Sequence, residues 1–204
     1  LIIFTSDNGS RCREGGSNAP LRGTKGTTWE GGQRMPCIMR WPGQIAPGVT
    51  CGELTTAMDI LPTLAGFSGA AVPHNRVVDG KDIRPIMLGN PGARSEYDAF
   101  FYYLRDELQA VRSGQWKLHC TTGALYDLSN DVGETEDVAH AHPNVVKHLE
   151  MKATLCREDL GDSLHDMDGA NCRPPGRVDN PKPLSEYDPD HPYIIATYDL
   201  KDAG

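Results

Sequence analysis

The chain of 204 residues carries a formal charge of −8 and no cluster of Lys and Arg. This argues against a nucleic-acid partner, because binding a phosphate backbone requires concentrated positive charge. With 38% hydrophobic and 24% charged residues the composition is that of a globular protein, and no apolar run approaches the roughly 18 residues of a membrane span.

Leu1-Ile2-Ile3-Phe4 reads as a buried strand already under way at the first residue, so the chain is expected to begin inside a domain. It runs into the polar turn Ser6-Asp7-Asn8-Gly9 and then a Gly-rich loop reaching about Arg34. Loops beyond about 12 to 15 residues in a compact domain are commonly functional, and this one mixes Leu21, Trp29 and charges, so it is read as ordered. Residues 35–41 form a second predicted strand, closed by Pro42-Gly43. Residues 56–67 are predicted helical, with Met58, Leu61, Leu64 and Ala65 on one face and Pro62 starting or kinking the helix. A further short helix is expected from Ile83 to Leu88.

After a composition shift at Asn90-Pro91-Gly92, four short pieces at 99–104, 108–112, 116–120 and 124–128 predict an antiparallel sheet. From Pro143 a helix is predicted to about Leu160, with Val146, Leu149, Ala153, Cys156 and Leu160 on one stripe. The expected organisation is an α/β part over residues 1–90, a small α+β domain over 91–160 and an extended tail over 161–204. Six cysteines without a C-x-x-C pair disfavour zinc and leave disulfides and free thiols both open.

Asp7 and Asn8 stand at the exit of an apolar strand, where α/β folds bind ligands, and their oxygens suit a hard cation. The plain alternative is a turn, since Asp, Asn and Gly dominate turns for backbone reasons. In Gly23-Thr24-Lys25-Gly26-Thr27-Thr28, glycines permit close backbone approach and Lys25 offers a compact positive charge to an oxyanion. The G-x-x-x-x-G-K-[ST] phosphate loop is not met. Trp29, near this motif, is either a platform for a sugar ring or a core filler. Asp127 to Glu134 is read as a turn rather than a calcium loop, and His140, His142 and His148 as solvated. The sequon Asn8-Gly9-Ser10 is expected to be unmodified, because a glycan would block Asn8 as a ligand.

Taken in order, several segments resemble the sulfatase family, particularly the branch of arylsulfatase A and N-acetylgalactosamine-6-sulfatase. These are Ser6-Asp7-Asn8-Gly9, the run from Gly23 through Trp29-Glu30-Gly31-Gly32, Arg40-Trp41-Pro42-Gly43, Ala46-Pro47-Gly48, Met58-Asp59-Ile60-Leu61-Pro62-Thr63-Leu64, Asp79-Gly80-Lys81-Asp82-Ile83, Ala110 to Leu118 and Leu125-Tyr126-Asp127-Leu128. The resemblance covers about residues 1–160. It implies the C-terminal part of an alkaline-phosphatase-like α/β core followed by a small antiparallel sheet packed with a helix. It also implies an arylsulfatase-like sulfuric ester hydrolase, with Asp7 and Asn8 as Ca2+ ligands and Lys25 as the catalytic and substrate-binding contact to the sulfate group.

Family members use a formylglycine made within a C/S-x-P-x-R motif, and paired aspartates that complete the calcium site. Neither is in this sequence, and Cys172-Arg173-Pro174-Pro175-Gly176 has Gly where the motif needs Arg. The nucleophile is therefore expected upstream, with a maturase as partner, a sulfated carbohydrate or small molecule as substrate, and a periplasmic, secreted or lysosomal setting. The rival readings are a related metal-dependent phosphohydrolase and a degenerate, non-catalytic binding protein of the same fold.

Overall fold

The computed structural model describes residues 1–174 and 176–180. β1 (Ile2–Thr5) pairs antiparallel with β2 (Cys37–Arg40), Ile2 opposite Arg40 and Phe4 opposite Ile38. The strand is therefore where the apolar run predicts it, but it is not buried: Ile2, Phe4 and Ile38 are 60%, 65% and 62% exposed. A run of apolar residues states that a strand needs cover. It does not supply the covering layer.

The same holds for the next element. Helix α2 (Ile60–Ser68) follows a short 3-10 turn at Ala57–Asp59, and Gly69 in the left-handed region ends it. Pro62 lies in the first turn, where its missing N–H has no helical partner to lose. The predicted apolar face is open, with Met58, Leu61 and Leu64 at 45%, 57% and 41%, while Pro62 and Thr63 are buried. Polar bonds fix this helix instead. The fully buried Asp59 carboxylate accepts from Thr56 N (2.7 Å), Lys81 N (2.8 Å) and the Tyr97 hydroxyl (2.5 Å). Burial and that bond push the Tyr97 hydroxyl up to about 12. Thr63 Oγ1 accepts from Ile83 N at the start of α3 (Arg84–Met87).

Four strands follow in sequence order as an antiparallel meander: β3 (Phe100–Leu104), β4 (Glu107–Ser113), β5 (Trp116–His119) and β6 (Leu125–Asp127). Helix α4 (Pro143–Leu160) packs across β4 and β5. Leu149, Ala153 and Cys156 of its predicted stripe close a core with Leu108, Val111, Leu118 and Leu125, and each buried Leu contributes roughly 1.5–3 kcal/mol. A register shift between Tyr102 and Tyr103 lets Leu108 and Val111 both face this core, although three positions separate them. All six cysteines are free thiols. Cys120 is pushed up to about 11, chiefly by burial.

The expected tail begins later than residue 161. β7 (Gly161–Asp162) and β8 (Met167–Asp168) form a small hairpin against α4, because Asp162 closes its turn and binds three elements at once. Its carboxylate accepts from Arg157 Nε (2.8 Å), Leu108 N (3.2 Å) and Leu164 N (3.1 Å). Burial alone would raise this carboxyl, but these donors outweigh it and hold it below its ordinary value. A depressed carboxyl stabilises the fold above its unfolded value of about 3.9 and loses that contribution as pH falls through the lower folded value. Asp162→Asn is therefore expected to flatten the acid limb of stability below about pH 4, read as urea midpoints between about pH 5 and 2. An unchanged acid limb would show that Asp162 is not the group that titrates.

Leu1–Cys172 form one compact unit, and the division expected near residue 90 falls inside it. A second unit spans Arg173–Gly204, and its described residues, 173–174 and 176–180, hold no helix or strand. The rest of the expected tail, and position 175 of the segment after Cys172, lie outside the described residues.

Candidate functional site

Asp7 and Asn8 leave β1 in a bend whose backbone is seated on the next loop. Gly9 donates to Gly32 O at 3.0 Å, and a Cβ on Gly9 would lie 1.8 Å from Gly31 O. Only glycine permits this approach. The following residue carries the second link: Ser10 O accepts from Lys25 N (3.1 Å), Thr24 Oγ1 (2.8 Å) and Asn18 Nδ2 (2.9 Å). Asn18 also accepts from Ser10 N (2.8 Å) and donates to Gly23 O (3.1 Å). The Asp7-Asn8 bend and the Lys25 loop, separate motifs in the sequence, are thus one hydrogen-bonded body.

Lys25 itself is exposed at the loop tip, Asp7 is exposed and Asn8 half-buried. Asp7 also lines a cleft of about 450 Å³ together with Glu30, Arg34, Tyr102 and Arg112. Ser6 Oγ contacts Asp7 Oδ1 at 3.4 Å, and among the described residues no cationic side chain pairs with Asp7. A carboxylate and an amide oxygen without a cationic partner suit calcium in kind. They are two ligands where calcium takes six to eight, and no group of three or more His, Cys, Asp or Glu gathers to hold a metal among the described residues.

The end of the loop is held from the other side of the chain. Glu30 begins α1 (Glu30–Gln33) and is 1% exposed. Its backbone N donates to Glu134 Oε2 (2.7 Å), and its Oε1 accepts from Lys117 Nζ (3.0 Å) and the Tyr102 hydroxyl (2.9 Å). Arg112 lies 3.5 Å from its Oε2. Lys117 also reaches Glu134 Oε1 (2.8 Å) and Thr28 O (2.8 Å), while His119 Nε2 is 3.2 Å from Glu134 Oε1. Burial would raise the Glu134 carboxyl, yet His119, Lys117 and Glu30 N together hold it below its ordinary value.

Trp29 lies in the same seam, with the Arg22 guanidinium 3.7 Å from its ring and His119 stacked on it at 3.9 Å. Two groups this close to one ring must take opposite faces. Trp29 is therefore not free to stack on a sugar, and it packs with Ala124, Tyr126 and Leu128. Asn18, Glu30, Lys117, His119 and Glu134 were absent from the expected site. Their partners lie up to 112 residues away, as in Arg22 to Glu134 O, so no local pattern marks them.

Residues 1–70 match the sulfatase family. Human arylsulfatase A is 40% identical over 192 residues, covering 76% of this chain and 37% of that protein. Mouse steryl-sulfatase is 44% identical over 129 residues, covering 57% and 20%. Among solved structures, the PsFucS1 sulfatase from Pseudoalteromonas sp. superposes with a TM-score of 0.66 at 27% identity, over 76% of this chain and 36% of that one. The chain thus spans between a fifth and two fifths of the length of these relatives. Motif order, sequence and mixed α/β architecture agree, and over the residues matched the chain is similar to the sulfatase family.

Proposed function

We propose that this chain forms part of a sulfuric ester hydrolase that cleaves sulfate esters, with sulfated carbohydrates as the substrate class. The observation that supports the reading is the Ser10 carbonyl, which joins the chain just after the Asp7-Asn8 bend to the Lys25 backbone and so ties a carboxylate-amide pair suited to a cation and an ammonium suited to an oxyanion to one hydrogen-bonded backbone. Lys25 would contact the sulfate oxygens and stabilise charge as the ester bond breaks, and Asp7 and Asn8 would supply two oxygens to calcium. The bound ion would polarise the sulfate group and neutralise its charge. The nucleophile, a formylglycine by family resemblance, would come from residues that this sequence does not include, and its formation would need a maturase. A secreted, periplasmic or lysosomal location accompanies that chemistry.

The test is sulfate release from an aryl sulfate by the maturase-treated product of the complete gene, with the matching aryl phosphate beside it. Calcium-dependent release from the sulfate supports the reading. Preferential turnover of the phosphate favours a phosphohydrolase, and no turnover of either favours a non-catalytic binding protein. These 204 residues alone are expected to bind calcium no tighter than about 10⁻³ M by titration calorimetry, since two side-chain oxygens leave most of the coordination shell to water. Micromolar binding would show that further ligands lie within this sequence.

A further inference from the structure

Lys117 is fully buried, and each of its three ammonium protons has an acceptor: Thr28 O, Glu30 Oε1 and Glu134 Oε1, at 2.8, 3.0 and 2.8 Å. No donor is left for a ligand. Two of those acceptors belong to the loop that carries Lys25, and the third, the Glu134 carboxylate, takes the Glu30 backbone N–H on its other oxygen. Arg22, at the start of the loop, donates to Glu134 O at 2.9 Å. The buried Lys117 ammonium and Glu134 carboxylate thereby hold the segment 22–30 at its Thr28–Glu30 end, and the Glu134 backbone carbonyl holds it at Arg22.

Between those ends the loop has little packing of its own. Lys25 and Gly26 are exposed, and the backbone bonds of the tip are Lys25 N to Ser10 O and Thr27 N to Thr24 O. A buried ion cluster is a poor source of net stability, because desolvation offsets most of the attraction. What this cluster does supply is direction: it fixes where the Thr28–Glu30 end of the loop sits on the small sheet, while Ser10 O ties the tip to the Asp7-Asn8 bend, and the two together set the backbone position from which Lys25 extends.

From this geometry we propose that Lys117, acting with Glu134 and Glu30, is a positioning residue for Lys25, so that the face of the small sheet opposite α4 sets the geometry of the anion-binding loop. The proposal rests on reading Lys25 as the sulfate contact. It assigns the sheet a role in turnover through Lys25, without contact to substrate.

The experiment uses the complete gene product and two readouts. Lys117→Met alone leaves the Glu134 carboxylate unbalanced, so the main variant is the charge-balanced pair Glu134→Gln with Lys117→Met, in which Glu30 still faces Arg112. In amide hydrogen exchange, Lys25, Thr27, Gly31 and Gly32 are expected to exchange at least about tenfold faster in this pair, while Leu149 and Ala153 of α4 are unchanged. In aryl sulfate turnover, kcat is expected to fall by up to about 10²-fold with KM little altered, as a misplaced catalytic group produces. Adding Lys25→Ala to the pair should make it no slower than Lys25→Ala alone, because both changes remove one effect. Loop exchange that is unaltered, or losses that multiply in the combined variant, overturn the proposal. Faster loop exchange in a protein whose wild type cleaves no sulfate ester upholds the positioning and removes the sulfatase reading instead.

Discussion

Lys117→Met is expected to cost the fold about 3–5 kcal/mol, the range seen when one partner of a buried ion pair is removed. The wild-type cluster is balanced: Glu30 and Glu134 face Lys117 and Arg112, with the His119 ring 3.2 Å from Glu134. Met fills the volume of the Lys stem but offers no proton. Thr28 O and one oxygen from each carboxylate then lose a donor in a region where Glu30 and Glu134 are 1% and 0% exposed. Arg112 and the Tyr102 hydroxyl still serve Glu30, so the damage concentrates on Glu134. Glu134→Gln added to Lys117→Met removes the carboxylate left without its cation and keeps Glu30 facing Arg112, so the double variant should recover a large part of the loss. Urea midpoints of the two variants check this. A single variant within about 1 kcal/mol of wild type would mean that water reaches the cluster and relieves the unpaired carboxylate.

The contrast between what was legible and what was not follows the range of each interaction. Helix α4 begins at Pro143 and ends at Leu160 as its periodicity states, because a 3.6-residue stripe and a proline in the first turn are local signals. The four strands of the meander were equally plain from their turn spacing. Exposure was not. Ile2, Phe4, Leu61 and Leu64 are apolar and patterned, yet the described residues leave them open, since a pattern states a need for burial and tertiary structure decides whether it is met.

Strand β5 shows the limit in one element. In Trp116-Lys117-Leu118-His119 the alternation puts Leu118 in the core under α4, and the sequence alone makes the Lys117 and His119 face polar and therefore solvent-facing. The structure covers that face with the Lys25 loop, 87 residues earlier in the chain at Glu30, and both side chains are buried. A polar strand face is the expected appearance of both a wet surface and a buried network. For the site, local motifs and the family resemblance singled out Asp7, Asn8 and Lys25 as candidates, while Ser10 and Asn18, which tie their segments together, were unmarked, because Ser10 acts through its backbone and the Asn18 side-chain amide through backbone partners that no motif displays.

On the proposed role of Lys25, Lys25→Ala in the complete gene product is expected to lower kcat for an aryl sulfate by about 10²- to 10³-fold, the cost of removing one preorganised charge-stabilising donor. It should leave folding stability within about 0.5 kcal/mol, as for an exposed side chain outside the core. The two lysines differ in their surroundings, and the proposed roles follow that difference. Lys117 spends every donor on the protein, whereas the Lys25 ammonium is exposed and makes no ion pair among the described residues, so its donors remain available to an incoming oxyanion. Its loop is fixed through Lys25 N and Ser10 O, a bond that alanine keeps, so the substitution removes the charge without releasing the backbone. Lys25→Arg keeps the charge on a longer, planar fork and should recover only part of the rate, because a guanidinium does not reproduce a point ammonium at fixed distance. Retention of kcat within about threefold in Lys25→Ala would mean that Lys25 makes no contact specific to the transition state, and the anion-binding duty would pass to another cation such as Arg34 or Arg112, which line the adjacent cleft.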